Sequence, residues 1–197
     1  MRMIVPKRII LASASRRRQI LLRQIGLTFE VRESDIPEEF EEVKSIPENV
    51  RTLALRKAHA VVKPSDNAIV IGADTVVVLD NEVLTKPRDE RDACEMLAKL
   101  SGRTHEVYTA FALLDCPTGK STSAVETTKV TFRKLSSQEI KEYVASGSPM
   151  DKAGAYGIQD DYGAVFVERI EGCYYNVVGF PLARFYVTMQ EFQKQLA

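Results

Sequence analysis

Three consecutive arginines stand at the predicted start of a helix near the beginning of the sequence. The stretch reads LASASRRRQILL, so Ser13 and Ser15 precede the arginines at positions 16–18. A helix N-terminus carries partial positive charge and unpaired N–H groups, which attract anions and disfavour cations. Serine hydroxyls, free amides and guanidinium groups together suit a phosphate chain. The residues alone leave two interpretations open: a phosphate-binding helix start, or a solvated one whose arginines pair with acidic loops.

An aspartate interrupts the long apolar stretch IVIGADTVVV. Around Asp74, only Gly72 and Thr75 break the aliphatic character of this segment. A buried carboxylate without a partner costs several kcal/mol or takes up a proton. A divalent metal or a nearby lysine would keep it ionised, and it could then act as a general base or metal ligand. The alternative is an aspartate at a strand end that accepts hydrogen bonds from its own turn.

Two lysines are candidates for meeting a polyanion or such a carboxylate. Lys57 falls on the apolar stripe of a helix predicted at 46–62, seven residues after Val50. By itself, this placement favours a side chain that turns outward to water over one that points into a cleft. Lys86 follows a short predicted strand and precedes Pro87, which fixes it at a strand exit.

A glutamine and an acidic loop supply the other polar candidates. Gln159 ends the stretch GAYGIQ, and its amide can both donate and accept, as reading the edge of a nucleobase requires. An ordinary loop glutamine is the simpler interpretation of this residue alone. Glu38 and Glu39, in DIPEEF, could help to hold a metal, although an acidic loop is usually only solvated. Neither His59 nor His105 has partners at the spacing of a catalytic triad or a metal site.

Length, charge and cysteine content narrow the class of protein. A chain of 197 residues, 45% of them hydrophobic, suits one domain or two small lobes that share a core. The 27 basic and 27 acidic residues cancel, which argues against general attraction to nucleic acid or membranes. The three cysteines lack CxxC spacing, which argues against disulfides or a zinc site and favours a reducing cytoplasm. We expect neither a secretory signal nor a membrane span.

Strands and helices alternate along the sequence, with hairpins between them, which predicts an α/β fold with a mixed sheet. Capping serines followed by glutamate mark two helix starts, and glycines mark several helix ends. The predicted elements, in chain order, are a strand at 8–12, a helix capped by Ser15 and closed by Gly26, an extended segment from 29, a helix from Ser45 to about 62, a strand from 67 interrupted at Gly72, a hairpin turning at 80–81, a helix at 89–100, strands at 105–115 and 124–135, a helix from Ser136 to Gly147, a polar glycine-rich loop at 148–163, a strand at 164–170 and a helix from 181.

Five stretches, in the same order, resemble signature motifs of the Maf family of nucleoside triphosphate pyrophosphatases. They read LASASRRRQILL, VIGADTVV, KPRDERDACEMLAKLSGRTHEVYTA, PMDKAGAYGIQ and YYNVVGFPL, and the resemblance extends over almost the whole chain. It implies flanking helices on a mixed sheet with a deep central cleft, similar to the fold of inosine-triphosphate pyrophosphatases. It also implies cleavage of a nucleoside triphosphate to the monophosphate and pyrophosphate, with Mg²⁺ or Mn²⁺ as cofactor.

The resemblance gives catalytic roles to particular positions of this sequence. Asp74 matches the family's catalytic aspartate, and Lys57 and Lys86 match further catalytic residues. Asp74 and Glu38 match positions that hold the metal. Pro37 stands where many members have an acidic residue, which is a departure from the family pattern beside Glu38.

The resemblance also indicates how the substrate is held. Ser13, Arg17 and Arg18 match the family's phosphate-binding start. Arg17, Thr75 and Gln159 resemble the trio that marks the branch acting on dTTP and UTP rather than on 7-methyl-GTP. A glutamine amide would hold the O4 and N3–H of a pyrimidine, a pairing that cytosine meets less well.

We therefore expect one domain over residues 1–197, or two lobes around one cleft, that hydrolyses dTTP and UTP in the cytoplasm. The expected partner is the nucleoside triphosphate, without a nucleic acid polymer or a membrane, and we expect a homodimer. The alternative is a non-catalytic, nucleotide-sensing regulator of cell division, because family members have been associated with septum formation. An intact Asp74 argues against it, since a pure binder has no need of a carboxylate beside a polyanion.

Overall fold

The computed structural model describes residues 5–159 and 161–196. The strands within these ranges are β1 (Arg8–Ala12), β2 (Glu30–Val31), β3 (Ala68–Leu79), β4 (Glu82–Leu84), β5 (Thr104–Asp115), β6 (Ser121–Phe132) and β7 (Val167–Glu171). The α-helices there are α1 (Arg16–Gln24), α2 (Ile46–Ala60), α3 (Glu90–Leu100), α4 (Ser137–Ala145), α5 (Tyr174–Val178) and α6 (Leu182–Leu196). Short 3₁₀ turns cover Ser148–Asp151, Ala153–Ala155 and Asp161–Phe166.

The strands form one mixed sheet, in the order β2-β1-β3-β5-β6-β7, and β4 pairs with β3. β1 is parallel to both of its neighbours, and its register on β3 runs from Arg8 opposite Ala68 to Ala12 opposite Gly72. β4 is antiparallel to β3, and β7 is antiparallel to β6. The predicted α/β class with a mixed sheet is therefore confirmed. The deep cleft and the likeness to inosine-triphosphate pyrophosphatases stay predictions.

The chain divides into two compact units. The first unit contains residues 5–74, Thr109–Glu126 and residues 179–196, and the second contains Thr75–Tyr108 and residues 127–159 and 161–178. β3, β5 and β6 each contribute residues to both units. The prediction of a single domain, or of two lobes around one cleft, stays a prediction.

In the first unit, α2 packs closely against β3. A Cβ built on Gly72 would lie 2.0 Å from the carbonyl oxygen of Ala54 and 2.7 Å from the amide nitrogen of Ala58, both on α2. The predicted break of the strand at Gly72 is wrong, because β3 continues through this residue from Ala68 to Leu79. The glycine allows the helix backbone to approach the strand, a role that also suits a glycine inside a strand.

In the second unit, the predicted polar loop at 148–163 is partly a buried segment. Lys152 is 6% exposed, and the side chains of Ala155, Tyr156 and Ile158 are buried as well. The polar, glycine-rich composition predicts a solvent-exposed backbone, but the amides of Gly154 and Gly157 donate to Thr85 and Tyr143 instead. The following strand, β7, begins at Val167 rather than at 164, since the residues before it form a 3₁₀ turn. The short helix α5 was not predicted.

Several local sequence signals have the predicted outcome. Ser15 caps α1 by accepting from the amide of Arg18, and both predicted capping boxes, at Ser45 and Ser136, are present. Asp80 and Asn81 have positive φ angles of 49° and 67°, as a two-residue hairpin turn requires. The three cysteines are free. Among the described residues, no helix combines the length and the apolar character needed to cross a bilayer.

Candidate active site

A lysine in the first unit joins two carboxylates. The Lys57 ammonium donates to Asp74 Oδ1 and to Glu38 Oε1, at 2.6 Å in each case. The side chains of Lys57 and Asp74 are 9% and 6% exposed, whereas that of Glu38 is 42% exposed. Burying a carboxylate without a partner is costly, and Lys57 supplies the opposite charge. The arrangement holds one acidic group in the interior and a second near solvent on the same cation.

The outward orientation that the helical pattern favoured for Lys57 is wrong. The residue lies on the buried face of α2 together with Leu53, Ala54 and Ala58, as the apolar stripe indicated. Its ammonium stays inside because Asp74, on β3, provides a charged partner there. The ion pair compensates for the water that the ammonium gives up.

The strand places Asp74 where α2 can reach it. Side chains two residues apart on a strand point to the same face. The Asp74 side chain therefore projects from the face of β3 on which Gly72 contacts α2. Because Gly72 has no side chain, the helix lies close to the strand there. Lys57 then spans the remaining distance to the carboxylate.

Asn49 fixes the acidic loop that follows Glu38. Its side chain is buried and bonds both backbone groups of Glu41, accepting from the amide at 2.8 Å and donating to the carbonyl at 3.0 Å. It also donates to the carbonyl oxygens of Lys44 and Ser45. Asn49 and Lys57 both belong to α2, so this helix holds the loop at two points. Sequence reasoning missed Asn49, and no motif or spacing points to it.

The serine- and arginine-containing stretch forms a second polar group in the first unit. Arg18 is 9% exposed, and its guanidinium donates to Ser13 Oγ at 3.2 Å and to the carbonyl oxygens of Ala73 and Gly179 at 3.0 Å. Burial lowers the pKa of Arg18, and the negative charge of Asp74 opposes that shift. The Ala73 contact ties Arg18 to the residue before the buried aspartate.

The remaining members of that stretch differ in exposure. Ser13 is buried, and its hydroxyl also accepts from the amide of Ser15 at 3.3 Å. Arg17 is half-buried and Arg16 is exposed. The structure therefore brings Ser13, Arg18 and Asp74 together, and the phosphate-binding roles of Ser13, Arg17 and Arg18 stay predictions.

The second unit contains the other predicted site residues. Thr75 follows Asp74 on β3 and is half-buried. Lys86 is exposed and, within the described part of the chain, forms no hydrogen bond or ion pair. It lines a cavity of about 180 Å³ between β4 and α3, together with Arg88 and Lys99. Its ammonium is thus available to an anionic ligand.

Gln159 carries a buried donor that the described residues leave unsatisfied. Its Nε2 atom is inaccessible to solvent and has no hydrogen-bond partner among those residues. An unsatisfied buried amide costs about 1–3 kcal/mol, so such groups are rare in folded proteins and call for an explanation. A ligand atom that accepts a hydrogen bond would satisfy it. The role of Gln159 in reading a nucleobase stays a prediction.

The described acidic side chains of the first unit do not form a complete metal site. Among the described residues, no group of three or more histidine, cysteine, aspartate or glutamate side chains could hold a metal by itself. Mg²⁺ commonly takes one or two carboxylates and completes its shell with water and substrate phosphates. Asp74 and Glu38 both bond Lys57, and their oxygens are of the type that Mg²⁺ takes; their role as metal ligands stays a prediction.

The fold and this site define an α/β protein with a buried carboxylate, a lysine side chain that bonds it, and a helix start that contains serine and arginine. The sequence model of the family described as Maf-like protein matches residues 8–192, and the chain belongs to that family. A similar protein from Clostridium botulinum (strain 657 / Type Ba4) is named dTTP/UTP pyrophosphatase. It is 52% identical over 180 residues, which cover 89% of this chain and 92% of the relative. Relatives of the same name from Dictyoglomus turgidum and Acetivibrio thermocellus are each 50% identical, over 179 and 192 residues, covering 90% and 94% of this chain and 92% and 95% of the relatives.

Proposed function

We propose that this chain hydrolyses dTTP and UTP to the nucleoside monophosphate and pyrophosphate. The observation that carries the proposal is the identity of half of the aligned residues, over about nine-tenths of the chain, with relatives named for that activity. The pairing of Asp74 with Lys57 supports it, since hydrolysis needs an ionised base that a simple binding protein does not. The alternative of a non-catalytic regulator is not favoured by these relatives.

Asp74 is the proposed general base. Lys57 places a positive charge beside its carboxylate and, through the hydrogen bond to Oδ1, fixes its orientation. The carboxylate takes a proton from the water that attacks the α-phosphorus, and pyrophosphate leaves. General-base catalysis of this kind contributes roughly 10²–10⁴-fold to the rate.

Cationic and hydroxyl groups are proposed to bind the polyphosphate. Lys86 has an ammonium without a protein partner in the described ranges, as a phosphate ligand requires. Arg17 and Arg18 follow the capping Ser15 at the start of α1, where backbone N–H groups also favour anions. Ser13 would add a hydroxyl. Charge-assisted hydrogen bonds of this type stabilise the negative charge that develops as pyrophosphate leaves.

Asp74 and Glu38 would hold a divalent metal, Mg²⁺ or Mn²⁺. When bound, such an ion supplies Lewis-acid stabilisation of phosphate oxygens and lowers the pKa of a water molecule. Lys57 then has the further task of limiting repulsion between the two carboxylates whenever the metal is not bound.

Gln159 is proposed to read the nucleobase, with Arg17 and Thr75 as further substrate-binding residues. The unsatisfied donor Nε2 suits an acceptor, and O4 of uracil or thymine is one. Cytosine presents an amino donor at the same position, which would leave two donors facing each other. This complementarity favours UTP and dTTP over CTP.

The cellular setting is part of the same proposal. We place the activity in the cytoplasm, with the nucleotide as partner and with two copies of the chain in a homodimer. Sedimentation equilibrium measures the oligomeric state directly, and a monomer at micromolar concentration would contradict the homodimer.

The substitution Asp74→Asn tests the catalytic role. We expect pyrophosphate release from UTP to fall by roughly 10²–10⁴-fold, because the amide cannot accept the proton. Nucleotide binding, measured by calorimetry, should persist. Glu171→Gln, a substitution of an exposed glutamate paired with Arg169, is the matched control and should retain wild-type turnover. Near-normal turnover in Asp74→Asn would remove this residue from its role, and a wild type without turnover on UTP or dTTP, with or without Mg²⁺, would contradict the function.

A further inference from the structure

The segment that ends at Gln159 is fixed by hydrogen bonds within the second unit. The Gly154 amide donates to the carbonyl oxygen of Thr85 at 3.1 Å, and the Gly157 amide donates to the Tyr143 hydroxyl at 3.3 Å. The residues from Gly154 to Ile158 are all buried. The segment is therefore held at several points, and the glutamine amide follows directly after them.

A buried tyrosine–histidine pair provides a further attachment of this segment. The hydroxyl of Tyr156 and Nε2 of His105 form a hydrogen bond of 2.7 Å. Tyr156 is 5% exposed and His105, on β5, is 2% exposed. Both rings pack edge to face on Phe132, with centroid distances of 4.7 and 5.0 Å. The pair connects the segment to the sheet through one specific polar contact in an otherwise aromatic environment.

Neither ring is charged at neutral pH. Burial lowers the pKa of His105 to about 4 and raises the pKa of Tyr156 well above its ordinary value. Among the described residues, Nδ1 of His105 has no hydrogen-bond partner. The contact to Tyr156 is thus the hydrogen bond through which the described structure satisfies this imidazole. Its loss would leave a buried ring without any partner, so the pair has a strong preference for one geometry.

We infer that Tyr156 and His105 are positioning residues that hold the Gln159 amide in place and thereby set the discrimination between UTP and CTP. The inference rests on the proposed function. Tyr156 lies three residues before Gln159, and the chain between them is buried and bonded at Gly157. A shift of Tyr156 is therefore transmitted to the amide rather than absorbed by a mobile loop. Because both side chains are buried, the inferred effect of the pair acts through the segment.

The substitution Tyr156→Phe removes the hydroxyl and keeps the aromatic packing. We expect the ratio of kcat/KM for UTP to kcat/KM for CTP to fall roughly threefold to tenfold, the range for one buried neutral hydrogen bond. Inhibition by inorganic tripolyphosphate, which has no base, should be unchanged. Tyr108→Phe is the matched control. Tyr108 lies on β5, the strand that carries His105, and its hydroxyl donates to Glu106. This variant should keep the wild-type ratio.

A double-mutant cycle separates positioning from general loss of stability. In the Gln159→Ala background, Tyr156→Phe should leave the UTP-to-CTP ratio unchanged, since the amide that it positions is gone. An unchanged ratio in the single variant, or an equal fall in both backgrounds, would overturn the inference. A wild type that treats UTP and CTP alike would instead contradict the proposed reading of the base.

Variants of the histidine give a second test that does not depend on the folding of Tyr156→Phe. His105→Gln keeps an amide that can bond the Tyr156 hydroxyl and should retain the ratio within about twofold, whereas His105→Leu should reduce it like Tyr156→Phe. Thermal melting of each variant shows that folded proteins are compared. Equal ratios in His105→Gln and His105→Leu would overturn the inference.

Discussion

The two units prepare their polar groups for a ligand in opposite ways. In the first unit, Asp74 and Glu38 share the Lys57 ammonium, so the buried charges are compensated before anything binds. In the second unit, the Nε2 donor of Gln159 is buried without a partner among the described residues. The first arrangement would become costly only if one partner were removed, whereas the second costs stability until a ligand supplies an acceptor. The groups proposed for catalysis thus have partners within the protein, whereas the donor proposed to select the base has none among the described residues.

Lys57 and Lys86 give the largest expected contrast between the units. Lys57→Met leaves Asp74 buried without its cation and should lower the free energy of unfolding by roughly 2–4 kcal/mol. Lys86→Met removes an exposed ammonium and should change it by less than about 0.5 kcal/mol. Both variants should lose turnover on UTP. Urea denaturation and pyrophosphate release, measured on both proteins, check this. Equal stability of the two variants would show that the Lys57 pairs contribute nothing to folding.

The pH dependence of stability should report the buried imidazole of the second unit. Burial lowers the pKa of His105 to about 4, against about 6.5 in an unfolded chain. Between these values the unfolded chain binds more protons, so stability is complete above about pH 6.5 and falls as the pH decreases towards 4. The shift corresponds to a loss of about 3 kcal/mol over that range.

Urea denaturation at several pH values measures this loss, and His105→Gln is the comparison because its side chain does not titrate. The variant should show a shallower decrease between about pH 6.5 and pH 4. Hydrogen bonds with Arg133 and Ser136 lower the pKa of Glu139 from 4.5 to about 2, so its contribution to stability is lost between about pH 4.5 and pH 2. This loss overlaps only the acidic end of the His105 range, and it is common to wild type and variant. Parallel curves for wild type and variant would disprove the role of His105.

Gln159→Ala should change selectivity without a loss of stability. Removing the amide should reduce the preference for UTP over CTP by roughly 1–3 kcal/mol, the value of a well-placed base contact. Because a buried donor without a partner is removed, the melting temperature should stay the same or rise. Gln138→Ala, on the exposed surface of α4, is the control and should leave the preference unchanged. An unchanged preference in Gln159→Ala would mean that the base is read elsewhere.

Elements defined by their immediate neighbours could be predicted from the sequence. The caps at Ser15, Ser45 and Ser136 and the turn at Asp80 and Asn81 depend on side chains and backbone angles within a few residues. The mixed sheet followed from the alternation of strands and helices. These features need no knowledge of distant contacts, because the hydrogen bonds that specify them are local.

Features that depend on residues far apart in the chain were predicted less well. The helical pattern showed that Lys57 lies on the apolar face of α2, but its partner Asp74 is 17 residues further along, on a strand. The segment before Gln159 has the composition of a loop, yet it is buried, and its backbone is hydrogen-bonded to Thr85 and Tyr143. The catalytic and binding roles came from the family resemblance and stay predictions.

The residue that controls the reach of Lys57 has no side chain. Any methyl group at position 72 would collide with the backbone of Ala54 and Ala58, so α2 would have to move away from β3. Lys57 belongs to that helix, and its 2.6 Å hydrogen bond to Asp74 would lengthen as the helix moved. Enlarging position 72 would therefore lengthen the ammonium–carboxylate contact and weaken the proposed base without altering Asp74 or Lys57 themselves.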